Sequence, residues 1–196
     1  MTRVQKNIAS LIASLLATTT LGCTNTVTPP AHVADPVTIY LVDQGRTSSL
    51  LLPSGNGKSV RWAYGNWNWY ALGNKGPLDA LAAMLIPSKA ALGRREMNQP
   101  RDTDAIRAEV DSIQYLYAIQ VEREREQNVS RRLEGEFLQN NTGEVNNRES
   151  DLSFVRVNSC YWAFHDSNHV VSAWLEEMGC EVKGSKIYSV WDVKTP

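Results

Sequence analysis

Residues 158–180 read Asn-Ser-Cys-Tyr-Trp-Ala-Phe-His-Asp-Ser-Asn-His-Val-Val-Ser-Ala-Trp-Leu-Glu-Glu-Met-Gly-Cys, and the reading of this stretch decides the fold. It holds two of the chain's three histidines, two of its three cysteines and two of its six tryptophans, together with Ser159, Ser167, Ser172 and Asp166. Its second half is a helix by pattern. Asp166 and Ser167 are both N-cap residue types, and a cap at either leaves 168–178 as the helical body. Val170, Val171, Trp174, Leu175 and Met178 recur at helical spacing and make one apolar face. Gly179 then ends the helix where a left-handed residue is wanted. The groups capable of chemistry are concentrated at the start of this helix.

Just upstream, 153–160 is a strand that leads into the helix. Further back, Val-Thr-Ile-Tyr-Leu-Val at 37–42 is a strand with a buried face, 43–47 a turn, and 48–53 the return strand of a hairpin. A third strand, 59–65, runs into Asn-Trp-Asn-Trp-Tyr at 66–70. Pro77 opens a short, almost wholly apolar helix over 77–86. Residues 88–97 and 113–119 are strands on composition. Residues 122–140 form a charged helix whose thin apolar stripe is Val129, Leu133 and Phe137, its Glu and Arg residues facing solvent. Residues 98–103 and 141–150 are loops, and 186–193 is a closing strand. Strands at both ends with helices between them predict an α+β domain, a mainly antiparallel sheet with packed helices. Its aromatic corner (Trp62, Tyr64, Trp67, Trp69, Tyr70) reads either as a groove that stacks on a sugar or peptide or as a core corner. Trp62 is assigned to the core, and Trp67 is a candidate for substrate binding.

The first 22 residues stand apart. Arg3 and Lys6 precede an apolar run, 8–17, that is too short to span a membrane. Thr-Leu-Gly-Cys, ending at Cys23, is similar to a bacterial lipoprotein signal, although Thr20 stands where leucine is usual; the alternative is an ordinary cleaved secretory signal. The domain division expected is a signal over 1–22, a lipid-anchored, proline-containing tether over 23–36 that includes His32, and a single domain over 37–196. Loss of 1–22 removes two basic residues and no acidic one, which leaves 18 against 21, a formal charge of −3. A faintly acidic chain with no basic stripe has no footprint for nucleic acid. Membrane attachment would come from lipid at Cys23, on the periplasm-facing side of the outer or inner membrane of a bacterial envelope. With Cys23 used so, Cys160 and Cys180 remain, either as a disulfide or as a reduced pair.

Several segments together resemble a family of small bacterial envelope proteins, known only as a domain of unknown function, that is itself similar to circularly permuted NlpC-type, papain-like cysteine peptidases. That family carries Gly-Trp-His-Thr before an apolar strand ending in Pro, where this chain has Gly-Arg-Thr-Ser-Ser-Leu-Leu-Leu-Pro at 45–53. It carries an aromatic Gly-Trp-Gly segment, where this chain has Tyr-Gly-Asn-Trp at 64–67. Its Asn-Cys-Asn-Thr-Trp motif opens a glycine-terminated helix, as Asp166-Ser-Asn-His-Val does here. The resemblance covers about 37–193. It implies a permuted papain-like architecture, with a histidine base on the early strand and a cysteine nucleophile whose thiolate the helix dipole stabilises.

Both catalytic positions are substituted: Ser167 stands in place of the cysteine and Arg46 in place of the histidine. A serine needs a neutral base within hydrogen-bond reach, and arginine stays protonated. One repair makes Ser167 the nucleophile, His165 or His169 the base, Asp166 or Asp43 the orienter, and backbone N–H groups at the helix start the oxyanion donors. Arg46 would hold a substrate carboxylate, with Trp67 and Asn168 also binding substrate. Cys160 is a less well placed nucleophile, at the end of a strand. The chain would then hydrolyse or transfer amide or ester bonds, in cell-wall peptides for example, without a cofactor. The alternative is a pseudoenzyme that uses the same groove to bind a peptide or an envelope protein, with Ser167 only a cap residue. A third reading makes His165 and His169, four apart, a metal pair, but no third ligand is visible and the glutamate of His-Glu-x-x-His is missing, so no metal is assigned.

Overall fold

The computed structural model describes residues 24–55, 57–73, 87–98, 102–162, 165–186 and 189–195. The expected signal, Cys23 and the apolar helix over 77–86 lie outside the described residues. In chain order the elements are β1 (Asn25–Thr28), β2 (Pro36–Asp43), β3 (Ser48–Gly55), β4 (Lys58–Asn66), a single π-helical turn (Trp67–Ala71) and β5 (Ser88–Asn98). Then come α1 (Thr103–Glu109), β6 (Tyr115–Glu122), α2 (Arg123–Gln139), β7 (Val145–Asn147), β8 (Leu152–Tyr161), α3 (Ser167–Glu177), β9 (Glu181–Lys183) and β10 (Trp191–Val193). The α+β class holds: the main sheet has seven strands in the order β6-β2-β3-β4-β5-β8-β7, and every neighbouring pair in it is antiparallel.

Side chains alternate across this sheet, so each central strand feeds two cores. One face carries Ile39, Leu41, Leu50, Leu52, Trp62 and Leu92, and on it pack α2 through Val129, Leu133 and Phe137 and α3 through Val171, Trp174 and Leu175. The i, i+4, i+8 stripe read from the sequence is thus the seam by which α2 docks. Phe137 meets Trp62 edge-on, 6.2 Å between centroids, and the Arg94 guanidinium lies over both rings while its Nε donates to Glu134 at 2.9 Å. The other face has Tyr40, Val42, Leu51 and Met97 under Ile106 of α1, and a second patch of Trp67, Ala91, Leu152 and Phe154.

The tether expectation needs correction at its start. Residues 25–28 are the central strand of a second sheet, parallel to β10 and antiparallel to β9. Val27 is fully buried, Asn25 N–H donates to the Val190 carbonyl at 2.7 Å, and Asn25 Oδ1 accepts from Lys186 N at 2.7 Å. Polar Asn-Thr-Val-Thr forms a strand here because its partners lie some 160 positions away at the other end of the chain. Two further departures are local. Residues 66–70 close into the π-helical turn, with Asn66 Oδ1 capping Trp69 N at 3.0 Å. Within 98–112, Asp102 caps the short helix α1 by accepting from Asp104 N. Both remaining cysteines are free thiols, Cys160 exposed and Cys180 buried.

Candidate functional site

Of the two possible caps, Asp166 is the one used. Its carboxylate Oδ1 accepts from Asn168 N at 2.9 Å and from His169 N at 3.0 Å. At the far end, Gly179 at φ +93° lets the chain turn back, with Gly179 N bonded to Glu176 O and Cys180 N to Leu175 O, both at 3.0 Å. This is a Schellman closure, which requires the left-handed glycine. The helix is therefore fixed at both ends, and its first turn is set against β3.

Asp166 does a second job. The same Oδ1 lies 2.9 Å from His169 Nδ1, and a carboxylate oxygen can only accept from the ring, so the His169 proton sits on Nδ1. His165 is fixed in the same tautomer by a different partner: its Nδ1 lies 2.8 Å from the Cys160 carbonyl oxygen and 3.3 Å from the Tyr64 hydroxyl. A tight reversal, with Trp162 and His165 exchanging backbone hydrogen bonds, presents this ring, and Tyr64 packs edge-on against it at 5.5 Å. In both imidazoles the ring nitrogen with no partner among the described residues is Nε2. The two rings line one cavity of about 270 Å³ between α2, α3 and the sheet. Tyr64, Leu92, Val157, Val170, Ala173 and Trp174 form most of its wall, and Glu136 and the Arg132–Glu177 ion pair line it as well.

Ser167 is not part of this arrangement. It is 2% exposed, it does not line the cavity of the imidazoles, and among the described residues no hydrogen bond joins its Oγ to either ring. Of the backbone N–H groups at the helix start, where oxyanion donors were expected, those of Asn168 and His169 are engaged by the Asp166 carboxylate. A carboxylate in that place also repels the negative charge that an acyl-transfer transition state develops. Among the described residues, Ser167 Oγ is thus bonded to neither imidazole, and two of the N–H groups at the helix start are occupied.

Asn168 turns inward instead, into a buried polar network that sequence reading missed. Ser48 Oγ donates to Asn168 Oδ1 at 3.0 Å, accepts from Trp191 Nε1 at 2.7 Å and stands 2.8 Å from Ser189 Oγ. Ser189 Oγ in turn donates to Asp43 Oδ1 at 2.7 Å, as does Gly45 N. Asp43, weighed as an orienter for an imidazole, is thus a structural acceptor that ties the β2–β3 turn to the C-terminal segment. Bonded members lie up to 146 positions apart, and only Asp43, at the mouth of an evident turn, and Asn168, at the helix start, carried a signal in the sequence.

Trp67 is also not a groove residue. The π-helical turn folds it back over β5 and β8, where it is 4% exposed and covered by the Arg156 guanidinium at 4.6 Å. This face is opposite α2 and α3, so Trp67 cannot meet a ligand beside the α3 start. Arg46 is exposed at the β2–β3 turn, and its charge and that of Asp166 both act on the Tyr70 hydroxyl. Burial raises the pKa of Tyr70, and Tyr161, half-buried beside it, shifts the same way for the same reason. Burial also pushes Tyr64 up to about 12. These phenols are hydrogen-bonding neutral groups at any physiological pH. The ring of Tyr70 rests where a Cβ on residue 65 would stand, which is why Gly65 is a glycine.

Metal-ligating imidazoles are commonly held through their second nitrogen by a carboxylate or carbonyl, as both rings are here. Among the described residues, however, no group of three His, Cys, Asp or Glu side chains is placed to hold a metal ion, and no helix is long and apolar enough to cross a membrane. Compared with known proteins, the chain matches no family model, no curated protein and no solved structure.

Proposed function

We propose that this protein is a binding module, an envelope lipoprotein whose permuted papain-like domain has lost catalysis and kept a ligand cavity. The observation that carries this reading is the separation of parts: two imidazoles whose Nε2 atoms have no partner among the described residues line a cavity that the buried Ser167 does not enter. The cavity offers acceptors, Nε2 of His165 and His169 with the Glu136 carboxylate, against an apolar wall that includes Trp174. Such a lining takes a group with N–H donors on an apolar body, as in the amine-bearing side chains of cell-wall peptides. The Cys23 signal supports lipid anchorage. Because β1 begins at Asn25, an anchor at Cys23 would hold the three-stranded sheet directly against the bilayer rather than on a tether.

Trp174 lines the cavity, so binding is read from its fluorescence. The full chain titrated with amine-bearing muropeptides should show a saturable change that is at least tenfold weaker in His165→Ala/His169→Ala. Equal binding by the double variant, or no response to any cell-wall peptide, would sink the proposal.

A further inference from the structure

One buried cation has no carboxylate bonded to it among the described residues. Arg61 sits in the middle of β4, opposite Leu51 and on the α1 side of the sheet, and is 4% exposed. Its Nε donates to Ser49 Oγ at 3.0 Å and its Nη2 to Gln44 Oε1 at 2.7 Å. Both acceptors are neutral, and Nη1 has no protein partner among the described residues. None of the described carboxylates lies within 4.0 Å of the guanidinium: the charges of Asp151 and Asp111 reach it only from further off, and Asp151 is paired with Arg95 at 2.8 Å. Burial and the nearby Arg95 lower the Arg61 pKa to about 10, which still leaves it charged at neutral pH.

A charge buried in this way is strongly destabilising unless something compensates it. Beside the guanidinium lies a small cavity of about 50 Å³, lined also by Thr47, Ser48, Tyr70 and Ser150. The Ser150 hydroxyl is buried and has no hydrogen-bond partner among the described residues. A buried hydroxyl without a partner, a guanidinium with no bonded carboxylate and a small cavity therefore lie together among the described residues. We propose that this cavity binds one small monovalent anion, a halide or the carboxylate group of a compact acid, between Arg61 Nη1 and the Ser150 hydroxyl. A single guanidinium balances a single negative charge. Because one water needs about 10–15 Å³ of such space, the cavity holds an ion or one carboxylate and excludes a sugar or nucleotide. It shares only Tyr64 with the cavity beside α3, so the two proposals stand or fall separately.

The test is thermal melting of the full chain at constant ionic strength, with sodium gluconate replaced stepwise by chloride, bromide or formate. At about tenfold the dissociation constant, mass action should raise the midpoint by about 3–6 °C for a chain of this size, and the rise should vanish in Arg61→Gln. A rise with the halides alone identifies a halide site, and a rise with formate alone identifies a carboxylate site. Equal midpoints in all four salts, or a rise that persists undiminished in Arg61→Gln, overturn the proposal. Should Arg61→Gln fail to fold, bromide-soaked crystals of the unaltered chain decide the matter. An anomalous peak in contact with Arg61 is expected, and water alone in the cavity would refute the site.

Discussion

On one side of the first turn of α3, Asp166 and Asn168 direct their polar atoms into the fold; on the other, His165 and His169 each keep a ring nitrogen for something outside it. Asp166 caps two backbone N–H groups and fixes His169, and Asn168 closes a network that ends on Asp43. The imidazoles have their Nδ1 atoms bound and line a cavity. The difference teaches that a density of chemically able side chains is not itself a catalytic site. What separates structural groups from functional ones is which of their hydrogen-bonding atoms remain unengaged, and whether a ligand can reach those atoms.

The comparison breaks most visibly on the structural side. Asp43→Ala removes the acceptor of Ser189 Oγ and Gly45 N. Losing these two charge-assisted hydrogen bonds should cost about 3 kcal/mol or more, a drop of about 6–12 °C in the melting midpoint. A drop under 2 °C would mean that the network is ornamental.

Alkaline pH gives the next largest effect. Tyr64 titrates near 10 when unfolded and is raised to about 12 by burial when folded. Between these values the native state keeps a proton that the unfolded state has lost. The stability from this group is therefore complete below about pH 10 and is lost as pH rises towards 12, by about 2–3 kcal/mol. Tyr70 and Tyr161 shift in the same direction and deepen the fall. Melting of the full chain from pH 8 to 11 should show the decline, and Tyr64→Phe should make it shallower; a flat profile would contradict the burial described for these rings.

Much of this architecture is legible from periodicity alone. The apolar runs of β2, β3 and β4, the Val129–Leu133–Phe137 stripe of α2 and the Gly179 stop of α3 each state their structure within a dozen residues. What was illegible depends on distant partners. Strand β1 is four polar-looking residues that become a strand only because β9 and β10 return to them. Trp67 looks like a binding residue until the π-helical turn places it over Leu152 and Phe154. At the site, residue identity correctly marked the α3 start as polar and rich in imidazole. The Asp166–His169 pair is one of those the sequence offered, whereas Ser167 ends up buried, an outcome set by a side-chain direction that spacing does not fix.

Smaller effects sharpen the same comparison. Asp166→Ala removes the cap and should lower stability by about 1–2 kcal/mol, the usual cost of an N-cap acid. It should also weaken ligand binding by freeing the His169 ring, whereas Asp166→Asn should restore the cap without the charge. His165→Ala and His169→Ala, at rings that face the cavity, should each change stability by less than about 1 kcal/mol while reducing peptide binding. Urea melts beside the Trp174 fluorescence titration separate the two quantities.

The most direct measurement is intact-mass analysis of the full chain after exposure to a serine-directed fluorophosphonate, with Ser167→Ala alongside. A Ser167 that is buried and unbonded to either imidazole should give no adduct in either protein, while muropeptide binding persists in both. A single adduct on the unaltered chain that disappears in Ser167→Ala would show an activated serine and contradict the reading of this domain as a binding module.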